Sequence, residues 1–404
     1  MMQPIQPISG GTVTTPQGFL AGATSAGIKP GTQRLDVGLL FSTAPSAVAG
    51  VFTRNRVAAA PVLLCREHIA GGKGRAVVAN SGCANACTGP QGLEDARETA
   101  EAAAAKLGVP AQQVLIMSTG VIGVPLPMQR IRKGIEDVAL SPTGGNELAQ
   151  AIITTDTRTK EIGLSFELDG MRAYIGGVAK GAGMIHPDMA TMLAIITTDA
   201  RVEPGYLREA LTLAADLSFN MVSIDGDTST NDTVLVLANG LAGNSAIDAS
   251  SPHREVFQEA LNRACLYLAR EVARDGEGAN TLIEVWVEGA ASREEARAAA
   301  RTIVSSPLVK SAVHGADPNW GRVLAALGRS GAEVEEGRLE VLMGDICVLK
   351  EGRPQSFDQE AARRLLQSPE VLLRVRLGLG EGEARAWGCD LTEEYVTINS
   401  AYTT

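Results

Sequence analysis

From Lys180 to Leu193 the chain reads Lys-Gly-Ala-Gly-Met-Ile-His-Pro-Asp-Met-Ala-Thr-Met-Leu, and the side chain there best suited to covalent chemistry is Thr191. It opens a β-like run, Thr-Met-Leu-Ala-Ile-Ile-Thr-Thr, directly after the small Ala190. That order points to self-cleavage. The Thr191 hydroxyl attacks the Ala190 carbonyl, the chain shifts from nitrogen to oxygen, and hydrolysis leaves Thr191 as a new N-terminus. Its freed α-amine, with a reference pKa of about 8, then acts as base for the same hydroxyl. Gly181 and Gly183 allow backbone conformations closed to other residues, while Pro187 biases His186 toward an extended shape. The same residues also fit a glycine-rich turn before an ordinary buried strand. The pattern alone leaves both readings open.

Other residues have chemistry to offer. Val114–Met117 is an apolar run that stops at Ser118-Thr119-Gly120, where a hydroxyl and a backbone N–H can face one spot and form an oxyanion hole; a plain strand-ending turn reads the same way. Glu277 lies between Gly276 and Gly278, so a ligand can approach the backbone beside a carboxylate. Cys83 and Cys87 have metal-compatible spacing but no nearby histidine or third sulfur, and they read as small buried hydrophobes. Asp225, Asp227 and Asp232 fail the calcium-loop pattern and read as turn formers. His314 resembles a general base, yet a threonine with its own amine needs none.

The elements that must position these groups alternate between strand and helix. Leu35–Phe41, Gly50–Arg54 and Arg75–Ala79 read as short strands, and Leu93–Leu107 as an alanine-rich helix stopped by Gly108. Helices follow over 127–152, broken by Pro-Thr-Gly-Gly. Ala151-Ile-Ile-Thr-Thr-Asp is echoed at Ala194-Ile-Ile-Thr-Thr-Asp, which predicts two similar strand ends. Helices are predicted over Glu203–Asp216 and Arg254–Arg274, a strand over Asp232–Ala238, and a capping box at Ser292 and Glu295. Strands at 339–349 and 370–378 flank a helix over Asp358–Gln367. The last stretch, Asp390–Thr404, reads as a strand and a docked tail. The fold class is therefore α/β, with mixed sheets layered with helices in two domains.

The 404 residues carry a net charge of −10 and 4% aromatics, which argues against nucleic acid or an anionic membrane as partner. No apolar run reaches ~18 residues, and the start lacks a signal-peptide pattern. Six scattered cysteines read as reduced thiols and predict a cytoplasmic protein.

The 180–193 stretch resembles the cleavage signature of the ornithine acetyltransferase (glutamate N-acetyltransferase) family of arginine biosynthesis, and the similarity runs almost end to end. The resemblance implies autocatalytic scission between Ala190 and Thr191, giving an α chain of 1–190 and a β chain of 191–404. It implies a domain of 1–280 carrying the nucleophile and a smaller α/β domain of 281–404. It makes Thr191 the acyl carrier and Thr119 with Gly120 the oxyanion pair. Thr154, Lys180, Glu277, Asn399 and Thr404 become substrate contacts. The implied substrates are N2-acetylornithine and glutamate, with acetyl-CoA as a further donor, in a dimer of αβ units without metal or cofactor. This chain departs from the family pattern at Asp188, where Asn is usual, at Thr281, where a basic residue is expected, and at Cys83, where Asn is common. An N-terminal-threonine amidohydrolase or aminopeptidase, and a non-cleaving amino-acid-binding homologue, are the alternatives.

Overall fold

The computed structural model describes residues 5–29, 31–186 and 192–401. Its strands, in chain order, are β1 (Gln6–Pro7), β2 (Phe19–Thr24), β3 (Val37–Phe52), β4 (Lys73–Cys83), β5 (Val114–Val121), β6 (Lys160–Leu168), β7 (Met171–Lys180) and β8 (Leu193–Thr198). They continue with β9 (Val222–Ser223), β10 (Thr233–Ala238), β11 (Leu282–Ala290), β12 (Glu340–Met343), β13 (Ile346–Lys350), β14 (Arg353–Pro354), β15 (Glu370–Arg376) and β16 (Gly382–Cys389). A nine-stranded mixed sheet runs β1-β6-β7-β8-β10-β3-β4-β5, with β2 paired on β3. A seven-stranded sheet runs β14-β13-β12-β15-β11-β16-β9. The α/β class and layered mixed sheets are as expected.

β8 and β10 form a parallel pair in the middle of the large sheet, and every residue in both is buried. Continuous apolar runs suit such doubly covered strands. The polar residues among them are satisfied: Thr197 Oγ1 donates to Val13 O at 2.6 Å and Thr198 Oγ1 to Tyr174 O at 2.7 Å. The helix Arg254–Arg274 packs on β6 and β7, while Gly145–Ile152 packs on β2 and β3. The helix Arg293–Val304 covers β11 and β16, and one apolar core continues from β8 and β10 into Val285 and Ala386.

Several expectations needed correction. The expected strands Leu35–Phe41 and Gly50–Arg54 fall largely within one sixteen-residue strand, β3, which starts at Val37 and ends at Phe52. Pro45 hid this, and the strand tolerates it because its pairing with β4 shifts register between Phe41 and Ser46. The first copy of the Ala-Ile-Ile-Thr-Thr echo ends the helix Gly145–Ile152 and enters a loop, so only the second copy forms a strand. The C-terminal segment Asp390–Thr404, expected as a strand and a docked tail, forms a helix over Glu393–Ala401; two glutamates in its first turn favour the helix. The capping box is half made: Ser292 Oγ accepts from Glu295 N at 3.2 Å, while Glu295 Oε2 accepts from Glu333 N. Among the described residues, no helix is long and apolar enough to cross a membrane.

Candidate active site

The site forms where strand ends and loops meet. β5 runs parallel to β4, with Thr119 opposite Ser81 and Gly120 opposite Gly82. Gly120 has φ of 126°, and a Cβ there would lie 2.4 Å from the Gly82 carbonyl carbon, so only glycine fits this strand end. β7, separated from β5 in the sheet by β8, β10, β3 and β4, delivers Lys180. The Lys180 ammonium donates to Thr154 Oγ1 at 2.9 Å and to Thr119 Oγ1 at 3.3 Å. It therefore ties the predicted oxyanion threonine to a predicted substrate contact.

The glycine-rich stretch after Lys180 is held by carboxylates. Gly181 N donates to Asp156 Oδ1 at 2.7 Å. Met184, at φ 56°, donates its N–H to Asp225 Oδ2 at 2.5 Å, and Ile185 N donates to Asp225 Oδ1 at 2.9 Å. Asp225 thus shapes a turn beside the site, as its sequence context predicts. Glu277 N donates to Ala182 O at 2.8 Å, and Asn399 Nδ2 donates to Glu277 Oε2 at 2.7 Å. Gly183 lies flat against that carboxylate; a Cβ there would meet Glu277 oxygens at 2.5 Å.

Thr119, Gly120, Thr154, Lys180, Glu277 and Asn399 all line one pocket. They come from parts of the chain separated by up to 280 positions. Ala190, Thr191 and Thr404 lie outside the described residues. Met192 donates its N–H to Asp232 Oδ1 at 3.1 Å.

Burial sets the electrostatics. It pushes the Lys180 ammonium below its usual pKa, with Asp156 opposing and Lys160 adding to the fall. Burial also pushes Asp232 well above the carboxylate range, against the Met192 N–H that favours its ionised form. Asp156 goes the other way. Burial opposes its charge, but Lys180, Lys160 and the Gly181 N–H outweigh that and hold it low.

Sequence reasoning missed two groups. Asn231 is buried and donates from Nδ2 to Ala84 O at 2.6 Å and to Ser118 O at 2.9 Å, so it fixes the residue before Thr119. It was hidden in a run of polar turn residues. Lys160, wholly buried, pairs with Asp156 at 2.6 Å and Asp275 at 2.5 Å. Nothing marked this lone lysine as anything but a solvated strand end. Of the two thiols expected to be buried, Cys83 is, with Sγ 3.0 Å from Val124 O, whereas Cys87 is exposed, so the buried reading fails for Cys87. His314 lies with Asp390 and Glu393, each at 3.2 Å, and does not line the pocket. Among the described residues no group of His, Cys, Asp or Glu is disposed to hold a metal ion.

Comparison with known proteins settles the family. The ArgJ family profile matches residues 20–404. The chain belongs to the ArgJ family. Across 397 residues it is 54% identical to the arginine biosynthesis bifunctional protein ArgJ of Symbiobacterium thermophilum, covering 98% of this chain and 99% of that one. The ArgJ of Dehalococcoides mccartyi is 50% identical over 405 residues, with both chains fully covered. A crystal structure of the bifunctional ArgJ of Bacillus halodurans aligns with a TM-score of 0.51 at 46% identity, covering 52% of this chain and 98% of that one. ArgJ membership fits the layered mixed sheets and the near end-to-end resemblance.

Proposed function

We infer that this protein is a bifunctional acetyltransferase of arginine biosynthesis, moving the acetyl group of N2-acetylornithine to glutamate and also accepting acetyl-CoA as donor. The observation that carries this reading is the meeting of Thr119, Gly120, Thr154, Lys180, Glu277 and Asn399 in one pocket. The names of the relatives, arginine biosynthesis bifunctional proteins, support it.

In this reading Thr191, freed by scission after Ala190, is the nucleophile. Its α-amine takes the hydroxyl proton as Oγ attacks the acetyl carbon. Negative charge gathers on the acetyl oxygen, where the Gly120 N–H and Thr119 hydroxyl stabilise it, each donor contributing about 3 kcal/mol. The bond to the ornithine nitrogen breaks, the amine leaves with the proton, and the acetyl group rests on Thr191 as an ester. The glutamate amine then attacks that ester, and the threonine hydroxyl recovers a proton. Lys180 favours anions in the pocket, Glu277 pairs with a substrate ammonium, and Asn399 and Thr404 meet a carboxylate.

Scission divides the chain into 1–190 and 191–404, and the sheet supports their staying together. β7 and β3 belong to the first piece, while β8 and β10, lying between them, belong to the second. We further propose two domains, 1–280 and 281–404, and a dimer of such αβ pairs. The test is acetyl transfer from acetylornithine to glutamate, run beside acetyl-CoA as donor and beside water as acceptor. Release of free acetate without acetylglutamate would favour a hydrolase.

A further inference from the structure

Behind the pocket lies a buried network of charges that touches none of the pocket's open volume. Lys160 Nζ, wholly shielded from solvent, donates to Asp156 Oδ1 at 2.6 Å and to Asp275 Oδ2 at 2.5 Å. Asp156 Oδ1 also accepts from Gly181 N, and its Oδ2 accepts from Thr154 N at 3.0 Å. Asp275 Oδ2 accepts from Thr157 N at 3.1 Å, and Asp275 stands two residues before Glu277. One ammonium therefore ties together the loop of Thr154, the end of β7 at Lys180 and Gly181, and the loop of Glu277.

The distances around Lys180 show what this achieves. Its ammonium lies 3.8 Å from Asp156 Oδ2, beyond hydrogen-bond reach, while its near partners are Thr154 and Thr119. Two lysines and two aspartates form the cluster; Lys160 holds the shorter contact with the shared Asp156 and also pairs with Asp275. Without that counter-charge, Asp156 would draw Lys180 into a direct ion pair and away from Thr119. We propose that Lys160 is a positioning residue, which keeps the Lys180 ammonium on Thr119 and Thr154 by occupying Asp156 and Asp275. This rests on the reading of the pocket as an acetyl-transfer site.

The charged groups that face Lys180 are Asp156, Lys160, Glu277 and Asp232, with Lys29 nearby. Lys160 depresses the Lys180 pKa, so its removal must raise it. Activity that needs the ammonium falls as pH rises through that pKa. Lys160→Met should therefore move the high-pH limb of kcat upward. It should also lower kcat at neutral pH by ~10-fold or more as Lys180 leaves Thr119. A lower melting temperature with the limb unmoved would reduce Lys160 to a structural role and overturn the proposal. Should Lys160→Met fail to fold, Asp275→Asn decides. It leaves Lys160 to Asp156 alone, weakens the pull on Lys180, and should move the limb downward; an unmoved limb again overturns the proposal. Titration of the Lys180 ammonium by 15N NMR reads the same shifts in the resting protein. Absence of transfer by the wild type would then count against the acetyl-transfer reading, while the NMR shifts still decide the role of Lys160.

Discussion

The side-chain amide of Asn399 donates to Oε2 of Glu277 at 2.7 Å, joining residues 122 positions apart at the mouth of the pocket. The helix carrying Asn399, Glu393–Ala401, buries none of its side chains. Its docking rests on polar links such as Thr392 Oγ1 to Gly278 O at 2.8 Å and His314 to Glu393 at 3.2 Å. Removing residues 399–404 should thus leave the fold intact and raise the KM for the amino-acid substrates by ~10-fold or more, about 1.4 kcal/mol of binding. Steady-state kinetics beside a thermal melt checks this, and unchanged KM values would make the tail merely structural.

Gly183→Ala tests the other side of Glu277. The added methyl would sit 2.5 Å from the carboxylate oxygens, so the side chain must swing away. Substrate affinity should fall while the melting temperature changes little, because Glu277 closes a pocket and does not fill a core. Kinetics matching the wild type would show that the carboxylate has room to adjust.

Lys180→Ala should reduce transfer at least ~10-fold, about 1.4 kcal/mol of transition-state stabilisation. Burial depresses the Lys180 pKa, so wild-type activity should fade on the alkaline side below the ordinary lysine range. That limb should be absent from the residual activity of the variant. A variant within twofold of wild type, with the limb retained, would remove Lys180 from the site.

Asp156→Asn leaves Lys160 and Lys180 with a neutral partner in a buried place, and should cost about 3–5 kcal/mol of stability at neutral pH. The sign of its pH dependence follows from the lowered pKa of Asp156. Its ionised form stabilises the fold above the unfolded value of 3.8, and that contribution is lost as pH falls toward the depressed folded value. The gap between wild type and variant should therefore narrow as pH falls from 3.8 toward that depressed value. Denaturant midpoints across pH measure it, and a constant gap would contradict the assignment.

Much of this was legible in the residues. Gly108 ends its helix with φ of 65°, the left-handed conformation a glycine stop predicts, and Asp358 caps the helix Gln359–Leu366 through its carboxylate. The pocket residues Thr119, Gly120, Thr154, Lys180, Glu277 and Asn399 were named from a resemblance, and the fold brings them together. Less legible were features set by tertiary contact. Pro45 masked the continuity of β3, because a local rule cannot see a register shift. The strand expected within Asp390–Thr404 is instead the helix Glu393–Ala401, with Glu393 and Glu394 in its first turn. Lys160 gave no signal, since only folding brings Asp156 and Asp275 to it.

The central claim is that Thr191 cuts the chain and then carries the acetyl group, and intact mass spectrometry under denaturing conditions tests it most directly. Purified protein should show pieces of about 20 and about 22 kDa, at roughly 104 Da per residue of this composition. Brief exposure to acetylornithine without glutamate should add about 42 Da, one acetyl group, to the piece beginning at Thr191, and glutamate should remove it. Thr191→Ala should remain near 42.1 kDa and gain nothing. A wild-type chain that stays whole, an alanine variant that still splits after Ala190, or an acetyl group found on another residue would contradict the account.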